Sequence, residues 1–516
     1  MKGTELKILL VYPQYPDSFW SFKHALKFIS KKAAFPPLGL LTVAAMLPQD
    51  WEKRLVDMNV IRLTDKDISW ADYVFISAMA VQRESAKEVI SRCKDLHVKI
   101  VAGGPLFTAG FEEFTGVDYL VLGEAEVTLA PFLEDLKNGN AQHIYSSDER
   151  PDISKTPIPL WSLVDMKKYS SMNVQYSRGC PFDCDFCDII ILNGRVPRTK
   201  SKEQFVSELD ALYTQGWRGG LFVVDDNFIG NKKKLKTEIL PAMIEWRKEK
   251  KYPFAMCTES SINLADDEEL MRLMVAAGFD VVFIGIETPN EESLVECAKS
   301  QNQNRDIVAS VKKLQEFGLE VQGGFIVGFD NDPESIFQTQ IDFIQKSGVV
   351  TAMVGLLNAP TGTRLHQRLK REGRLLNSFA GSNTDFSLNF VPKMNYDRLI
   401  RGYRNILDTI YSPKQYYARI KTFLKVYKPP RATAGKVQIH QIKAFFRSIW
   451  FLGINGKGKR HYWKLFISYL LQSPPKFARF IVLSIYGYHF RKVSNPSALD
   501  SMVVETIRVN SGNEGN

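Results

Sequence analysis

Residues 178–187 read Arg178-Gly179-Cys180-Pro181-Phe182-Asp183-Cys184-Asp185-Phe186-Cys187. This loop carries three cysteines in the spacing C-x3-C-x2-C, and this motif limits which folds and functions the chain can have. A closed structural zinc site needs a fourth ligand nearby, but the nearest histidines, His143 and His366, are distant along the chain. Three thiolates leave one metal position open, which favours an iron–sulfur cluster over a partial zinc site or plain buried thiols.

The loop resembles the signature of the radical S-adenosylmethionine (SAM) superfamily, in which an aromatic residue, here Phe186, precedes the last cysteine. The resemblance implies a four-iron four-sulfur cluster held by Cys180, Cys184 and Cys187, whose remaining iron binds the amino and carboxylate groups of SAM. It also implies that one electron from the cluster cleaves the SAM sulfonium and yields a 5′-deoxyadenosyl radical. The cofactors carry this chemistry, and the protein orients them and excludes water.

Length and composition indicate a globular protein of two or three domains. The chain has 516 residues, of which 45% are hydrophobic and 24% are charged. Its six cysteines, three of them in one loop, do not resemble a disulfide framework and indicate a reducing compartment. The first apolar run, residues 8–12, is too short for a signal peptide, and no stretch reaches about 18 uncharged apolar residues. The expected location is therefore the cytoplasm.

Charge is distributed unevenly along the chain. Between Asp408 and Asp500 there is no acidic residue, whereas there are 17 Lys and Arg residues. Because the whole chain has a net charge of +10, the remainder has a net charge of −7. This asymmetry indicates that the basic region has a partner or a location that explains it.

Residues 1–145 alternate apolar runs with helical segments, which predicts an open parallel α/β sheet. The predicted strands are residues 7–12, 54–59, 73–77, 99–102 and 119–122. In such sheets ligands bind beyond the carboxyl ends of the strands, and glycines there allow a large flat ligand to approach the backbone. The candidate ligand-binding residues are Asp57, Asn59, Ser77, Met79, Gly103, Gly104, Gly123 and Glu124.

This unit, placed ahead of the cysteine motif, resembles the cobalamin-binding domain of cobalamin-dependent radical SAM enzymes. The resemblance implies a flavodoxin-like, Rossmann-type fold that binds cobalamin at the candidate residues. Many such domains carry Asp-x-His-x-x-Gly, whose histidine binds cobalt, but here the comparable stretch is Asp57-Met58-Asn59-Val60. The alternative is a flavodoxin-like domain with a structural role only. An aromatic loop that includes Trp20 predicts either a cover for cobalamin or substrate, or simple packing on the sheet.

Residues 146–165 contain Pro151, Pro157 and Pro159 and predict a linker. From residue 166 to residue 370 the strand–helix rhythm returns. The predicted strands are residues 174–177, 220–226, 254–259, 281–287, 320–328 and 352–357. Six such units predict a partial (β/α)6 TIM-like barrel, with polar residues at the C-terminal strand ends where barrels place their sites.

For this barrel the radical SAM resemblance implies a set of SAM-binding residues. They are Phe186, Asp226, Glu259, Gly285, Glu287 and Gly328. A carboxylate at Glu259 can accept hydrogen bonds from hydroxyl groups or an ammonium group. Asp225 and Asp226 could instead cap the next helix, and Glu287 could be structural. The sequence assigns no catalytic residue.

Residues 371–505 predict a basic, mainly helical domain, and residues 506–516 predict a disordered tail. Three runs combine aromatic and basic residues without acids, at 445–452, 462–471 and 477–490. This composition favours helices that lie in an anionic membrane interface. The alternatives are packed helices with a solvated basic face, and nucleic-acid binding, for which the sequence has no recognised motif.

The three-part layout resembles the cobalamin-binding radical SAM group that includes the hopanoid methylase and archaeal lipid ring synthases. The resemblance implies an enzyme that uses a four-iron four-sulfur cluster, SAM and cobalamin to methylate an unactivated carbon of a hydrophobic substrate, with a lipid as one candidate. The alternatives are radical cyclisation or carbon–carbon coupling with the same cofactors, and a cobalamin- or redox-sensing protein. An electron donor such as flavodoxin or ferredoxin is expected, nucleic acid is not, and the inner membrane surface is an alternative location.

Overall fold

The structure is a computed structural model, and it describes residues 6–376, 381, 382, 384, 386–430 and 439–494. The predicted disordered tail, residues 506–516, lies outside them. The described strands form two six-stranded sheets and one two-stranded ribbon. The carboxyl edges of the two sheets position the functional residues.

The first sheet is built from the N-terminal residues. Its strands are β1 (Lys7–Tyr12), β2 (Glu52–Asp57), β3 (Tyr73–Ser77), β4 (Lys99–Gly103), β5 (Tyr119–Val121) and β6 (Ile144–Tyr145). All are parallel, in the order β2-β1-β3-β4-β5-β6, so the predicted flavodoxin-like sheet is confirmed. The strand predicted at 54–59 ends earlier, at Asp57, because the Asp57 carboxylate accepts the Asn59 N–H and turns the chain.

Helices cover both faces of this sheet. They are α2 (Leu38–Met46), α3 (Asp65–Trp70), α4 (Arg83–Asp95), α5 (Pro105–Gly110) and α6 (Ala125–Asn138). Helix α1 (Lys23–Ile29) precedes them and packs instead against the C-terminal helices. In β1, Leu10 belongs to one apolar core and its neighbour Leu9 belongs to another. Because successive side chains of a strand point to opposite faces, the sheet is buried on both sides, as parallel sheets require.

The second sheet and the ribbon come from the central residues. The strands are β7 (Ser171–Val174), β8 (Ser177–Arg178), β9 (Arg198–Thr199), β10 (Gly220–Val223), β11 (Ala255–Ser260), β12 (Phe279–Glu287), β13 (Glu320–Val327) and β14 (Ala352–Leu356). The sheet is parallel throughout, in the order β14-β13-β12-β11-β10-β7, and β8 pairs with β9 in the antiparallel ribbon. This is the predicted parallel sheet of six βα units.

The first strand of the central sheet differs from the prediction of residues 174–177. It spans Ser171–Val174, and the chain then leaves the sheet for the ribbon. The reason is that the Asp225 carboxylate accepts the N–H groups of Tyr176 and Ser177 at 2.7 and 2.8 Å. Those two N–H groups are therefore unavailable to a neighbouring strand.

Helices also surround the central sheet. They are α7 (Ile189–Leu192), α8 (Lys202–Thr214), α9 (Lys232–Lys234), α10 (Leu240–Glu249), α11 (Glu268–Ala277), α12 (Glu291–Glu296), α13 (Ile307–Glu316), α14 (Ile336–Ser347) and α15 (Arg364–Arg371). A π-helical turn, Leu235–Ile239, joins α9 to α10. In β12, Val282 and Ile284 are buried in the core, whereas Phe283 is only partly buried and points to the opposite face, the interior of the partial barrel.

The described residues after 395 are mainly helical, as predicted. The helices are α16 (Tyr396–Tyr411), α17 (Pro413–Val426), α18 (Ile439–Ser448), α19 (Lys459–Gln472) and α20 (Pro474–Val493), with a π-helical segment, Ile449–Ile454, after α18. Arg479 of α20 lies 2.6 Å from Asp280 and 3.0 Å from Glu320, at the amino-terminal ends of β12 and β13. Helix α20 thus closes that end of the barrel. None of the helices in the described part of the chain has the length and apolar character to cross a membrane.

Short 3-10 turns complete the described secondary structure. They are Phe19–Ser21, Ala80–Gln82, Phe111–Glu113, Ile153–Lys155, Trp161–Leu163, Met166–Lys168, Phe228–Asn231, Ile262–Asp266 and Ser300–Asn302. Two of them matter for the site, because Phe19–Ser21 carries the aromatic loop of the N-terminal unit, and Ser300–Asn302 follows a buried lysine beside the cysteines.

Candidate active site

The cysteine loop, residues 178–187, begins in β8 at the carboxyl edge of the central sheet. Gly179 has φ +99°, and a Cβ there would lie 2.9–3.2 Å from the carbonyl oxygens of residues 193, 194 and 196. The Cys180 N–H donates to the Gly194 carbonyl at 3.2 Å. Only glycine suits this position, because any side chain would meet backbone atoms and adopt a left-handed φ.

The three cysteine thiols are free and have polar neighbours. The Asn227 amide nitrogen lies 4.0 Å from Cys180 Sγ, and the Gln301 amide nitrogen lies 3.8 Å from Cys184 Sγ. Burial raises the pKa of all three thiols, and the Lys299 ammonium opposes this rise. Amide donors and a nearby cation stabilise thiolates and the sulfurs of iron–sulfur clusters. These residues therefore fit such a cluster.

A single-metal site and a cluster differ in how their ligands must converge. Across residues 6–376 and the other described ranges, no group of three His, Cys, Asp or Glu side chains is arranged to hold one metal ion. A four-iron cluster does not require this convergence, because each cysteine binds a different iron.

The two aspartates after β10 have different roles. The buried Asp225 accepts hydrogen bonds from Tyr176 and Ser177, including the Ser177 hydroxyl at 2.6 Å, and it anchors the chain before the cysteine loop. Asp226 accepts the Gly179 N–H at 2.8 Å and the Asn193 amide at 2.9 Å. The sequence left open which aspartate faces a ligand, and the structure places Asp226 directly beside the cysteine loop.

Glu287 and Lys299 form a buried ion pair next to the loop, with Glu287 Oε1 2.6 Å from Lys299 Nζ. Glu287 adopts φ +65° at an irregularity between β12 and β13, an unusual conformation for a residue with a side chain. A Cβ on Gly285 would lie 2.5 Å from Glu287 Oε1 and 2.8 Å from Lys299 Nζ, which explains that glycine. Sequence reasoning missed Lys299, because no local pattern marks a lysine that pairs only through the fold.

Glu259, at the end of β11, presents a carboxyl group to the interior of the barrel. Among the described residues its side chain has no hydrogen-bond or ion-pair partner. Burial, reinforced by the charges of Asp226 and Asp225, raises its pKa to about 7. Gly328, at the end of β13, has φ +104° and donates its N–H to Asp332 at 2.8 Å. The Phe186 ring lies 6.3 Å from the Phe329 ring, next to that turn.

At the carboxyl edge of the N-terminal sheet, Asp57 and Asn59 belong to one hydrogen-bond network. Asp57 accepts the Asn59 N–H at 2.9 Å, the Asn59 amide at 2.8 Å and the Tyr169 hydroxyl at 3.0 Å. The side-chain oxygen Oδ1 of Asn59 accepts the Tyr15 N–H at 2.8 Å. Asp57 therefore joins the two sheets through Tyr169, and the polar atoms of Asn59 are engaged within the protein.

The remaining candidates of this edge lie on adjacent turns. A Cβ on Gly104, which has φ +86°, would lie 2.4 Å from Ser77 Oγ, and a Cβ on Gly103 would lie 2.5 Å from the Val121 carbonyl oxygen. At Gly123, with φ +74°, the nearest atom to an added Cβ is 3.8 Å away, so this turn is open. Met79 is exposed. Bare backbone along this edge fits a large planar ligand.

Glu124, predicted beside Gly123, is held by three arginines. Arg178 donates to its Oε2 at 2.7 Å, and Arg198 donates to both oxygens at 2.8 and 3.0 Å. Arg150 lies 3.5 Å from its Oε1. The neighbouring Glu126 accepts two further bonds from Arg178. Sequence reasoning missed these arginines, since their partners are in another part of the chain.

Two aromatic residues of the N-terminal loop, Phe19 and Trp20, lie in different surroundings. Phe19 stacks on Phe490 of α20, with ring centres 4.3 Å apart. Trp20 instead reaches the interior, where its ring lies 5.3 Å from Phe283 and its Nε1 lies 3.0 Å from Met353 Sδ. Trp20 touches two strands of the barrel, and 42% of its surface remains exposed to solvent.

This set of side chains, called the aromatic chamber below, comprises Trp20, Phe222, Phe283, Met353 and Tyr486. Tyr486 of α20 lies 5.2 Å from Phe22, which is 6.3 Å from Trp20. On the other side the Phe222 ring lies 5.2 Å from that of Phe35. Each of the three structural parts thus contributes apolar side chains to one interior.

Three family models match the chain. They are the B12 binding domain over residues 29–133, the Radical SAM superfamily over residues 174–344, and a domain of unknown function (DUF4070) over residues 363–499. The first spans β2 to β5 of the N-terminal sheet, the second spans β8 to β13, and the third covers the C-terminal helices.

Similar proteins cover nearly the whole chain. The chain is 42% identical to the uncharacterized methyltransferase sll1242 of Synechocystis sp., over 94% of this chain and 91% of that protein. It is 34% identical to the hopanoid C-2 methylase of Rhodopseudomonas palustris, over 91% and 90%. In fold it resembles the cobalamin-dependent S-adenosylmethionine radical enzyme OxsB with aqua-cobalamin bound, with a TM-score of 0.61 and 15% identity, over 95% and 84%.

Proposed function

Because the chain belongs to the cobalamin-dependent radical SAM methyltransferase family, we propose that it methylates an unactivated carbon of a hydrophobic substrate. Its cofactors are those of the family, namely a four-iron four-sulfur cluster, SAM and cobalamin. We also propose four domain limits. They are 1–145 for the cobalamin-binding domain, 146–165 for the linker, 166–370 for the radical SAM core and 371–505 for the C-terminal domain. The observation that carries the substrate class is the aromatic chamber between the two sheets and α20.

The residues that would hold the cofactors lie at the carboxyl edges of the two sheets. Cys180, Cys184 and Cys187 would bind the cluster. SAM would lie near Phe186, Asp226, Glu259, Gly285, Glu287 and Gly328. Cobalamin would lie along the edge formed by Asp57, Asn59, Ser77, Met79, Gly103, Gly104, Gly123 and Glu124. When bound, these cofactors together supply a radical and a methyl group, neither of which a protein side chain can give to an inert C–H bond.

The chain's own residues provide binding, orientation and the exclusion of water. Glu259 has no hydrogen-bond partner among the described residues, so its carboxyl group, whose pKa burial raises, is available to hydroxyl or ammonium donors. Lys299 keeps positive charge beside the thiols. Trp20, Phe283 and Met353 would shield a reactive intermediate from water and contact an apolar substrate.

The hydrophobic substrate class has two supports. The chamber side chains offer apolar and aromatic surface with few polar atoms, which suits a hydrocarbon rather than a charged metabolite. The relative that is 34% identical is named a methylase of hopanoids. We propose a lipid as the most suitable substrate, and a one-electron donor such as flavodoxin or ferredoxin as a partner.

We further propose that the C-terminal helices rest on an anionic membrane surface. In α19, Arg460, Lys464, Ile467 and Leu471 are exposed at the helical spacing i, i+4, i+7 and i+11, so they share one face. In α18 and the π-helical segment, Lys443, Phe446 and Trp450 are exposed on a similar face. Exposed apolar and basic side chains together match the chemistry of an anionic bilayer interface.

The test uses anaerobic protein with reconstituted cluster, cobalamin, SAM and a reductant, supplied with total lipid extract. Mass spectrometry would follow 5′-deoxyadenosine, S-adenosylhomocysteine and lipids that gain one methyl group. We expect all three to increase together and to disappear in Cys184→Ala. Deoxyadenosine without S-adenosylhomocysteine would instead indicate cyclisation or coupling, and the absence of both products from cluster-loaded protein would contradict the proposal.

A further inference from the structure

The ribbon that carries the cysteine loop contains a repulsive pair of charges. Arg178 and Arg198 are direct cross-strand partners in the short antiparallel pairing of β8 and β9. Like charges directly opposite each other destabilise a strand pair, and a ribbon with two residues in each strand has few hydrogen bonds to offset this. The ribbon therefore needs an external source of negative charge.

That charge comes from the N-terminal unit. Glu124 accepts hydrogen bonds from both ribbon arginines, and Glu126 accepts two from Arg178, at 2.8 and 3.1 Å. The four side chains are between 7% and 16% exposed. In such surroundings the carboxylates are tightly coupled to the guanidinium groups, and a neutralised carboxyl would leave buried cations without a partner.

The same carboxylate also reaches the far side of the cysteine loop. Arg150 lies 3.5 Å from Glu124 Oε1, and its guanidinium donates to the carbonyls of Ile191 and Leu192, at the end of α7. Helix α7 directly follows Cys187. Arg198 also donates to the Asn193 carbonyl at 3.0 Å. Glu124 thus binds arginines that hold the loop on both sides, before Cys180 and after Cys187.

We propose that Glu124 and Glu126 are positioning residues for the cysteine loop, so that the cluster site is complete only when the N-terminal unit is docked on the ribbon. This inference rests on the proposed function for the identity of the cluster. The proposal also changes the role expected for Glu124. The Glu124 carboxylate binds the arginines, whereas the Glu124 backbone remains part of the Gly123 turn. Any ligand that displaces that turn would also displace the loop, and the coupling would be reciprocal.

The first test measures hydrogen exchange on the full chain before any cofactor is loaded. In Glu124→Gln/Glu126→Gln we expect the Cys180 and Lys200 amides, which bond to Gly194 and Tyr176 in the wild type, to exchange on the order of tenfold faster. Exchange in β12 should not change. The control is Glu113→Gln, which removes an exposed ion pair with Arg83 in the same unit. Unchanged ribbon exchange in the folded double variant would overturn the proposal.

If the double variant does not fold, Glu126→Gln provides the decisive measurement, since it leaves the contacts of Glu124 with Arg178 and Arg198 in place. Faster ribbon exchange supports the inference, and wild-type exchange overturns it. The second readout is iron content and the electron paramagnetic resonance spectrum of the reduced cluster, which should change in the Glu124 and Glu126 variants but not in Glu113→Gln. Neither readout needs a substrate, so failure here is distinct from failure to observe methylation.

Discussion

Lys299 Nζ lies 2.6 Å from Glu287 Oε1, and the pair links the cysteine loop to the end of β12, where Glu287 has a left-handed backbone conformation. The cation neutralises a buried carboxylate whose backbone is itself in an uncommon conformation. It also lies 5.9 Å from the centre of the Phe186 ring. One contact therefore supports the strand end and the charge balance at the thiols.

The Lys299→Met variant should be destabilised by about 3–5 kcal/mol, because it leaves the Glu287 carboxylate buried without a partner. Urea unfolding measures this loss. Adding Glu287→Gln should recover part of the stability, since the unpaired charge is then removed. Lys313→Met, at an exposed pair with Glu268, serves as the control and should cost less than about 1 kcal/mol. Equal losses at the two lysines would refute this account.

The Gly179→Ala variant should lose the ability to hold iron. Its Cβ would lie 2.9 Å from the nearest carbonyl oxygen, and the residue would also need φ +99°. Gly216→Ala is a matched control, because Gly216 has φ +90° but no atom within 4 Å of an added Cβ. The control should lose about 1 kcal/mol of stability with full iron content. Wild-type iron content in Gly179→Ala would show that the clash is unimportant.

Acid should weaken the contact between the N-terminal loop and α20 through His489. Burial lowers the pKa of His489 to about 4, although its ring faces the Phe19 carbonyl at 2.9 Å; His24 and Asp17 are the nearby titratable groups. Because the folded-state pKa lies below the unfolded value of about 6.5, the stabilising effect is complete above pH 6.5. It declines as the pH falls toward 4, by at most about 1.4 kcal/mol per unit.

Thermal unfolding between pH 7.5 and pH 5 checks this prediction. His489→Gln keeps an N–H donor without titrating, so its melting temperature should depend less on pH than that of the wild type. His461→Gln, at an exposed histidine, should keep the wild-type dependence. The same pH slope in His489→Gln and the wild type would assign the acid sensitivity to other groups.

Trp20→Ala should weaken the binding of an apolar substrate, because the ring covers Phe283 and Met353 inside the barrel. We expect KM for the hydrophobic substrate to rise on the order of tenfold, while uncoupled formation of 5′-deoxyadenosine is unchanged. Trp70→Ala is the control, since that ring packs on Arg54 of the N-terminal sheet, 3.9 Å from its guanidinium carbon. An unchanged KM in Trp20→Ala would remove Trp20 from the substrate site.

Phe446→Ser/Trp450→Ser should reduce binding to vesicles that contain phosphatidylglycerol, on the order of tenfold. Phe446 and Trp450 are 63% and 56% exposed, whereas the control residue Val295 is 61% exposed and far from this face in sequence. Vesicle flotation measures the effect, and binding to neutral phosphatidylcholine vesicles should be weak for every variant. Binding of the double variant equal to that of Val295→Ser would contradict the membrane proposal.

The sequence predicted the features that depend on local spacing. The cysteine loop is recognisable because its three cysteines lie close together in the sequence. Both sheets could be predicted from the alternation of apolar runs and helical segments. Polar residues at strand ends, such as Asp226 and Glu259, could be named because parallel strands present their carboxyl ends at one edge.

Features that depend on distant contacts could not be predicted. The sequence placed a sheet strand at 174–177, because it does not show that Asp225, 48 residues later, binds the Ser177 N–H. It did not show that Glu124 faces Arg178 and Arg198, since charges on loops carry no periodic signal. For the same reason it could not separate the roles of Asp225 and Asp226, which differ only in the donors that the fold brings to them.

The stacking of Phe19 on Phe490 has a consequence for how the protein is made. These rings are among the first and last described parts of the chain to leave the ribosome, and the His489 ring also faces the Phe19 carbonyl across 470 residues of sequence. Until α20 is synthesised, Trp20 lacks its support and the carboxylates of Asp280 and Glu320 lack Arg479. The amino-terminal end of the barrel, which α20 covers, therefore stays uncovered until this last described helix has been synthesised.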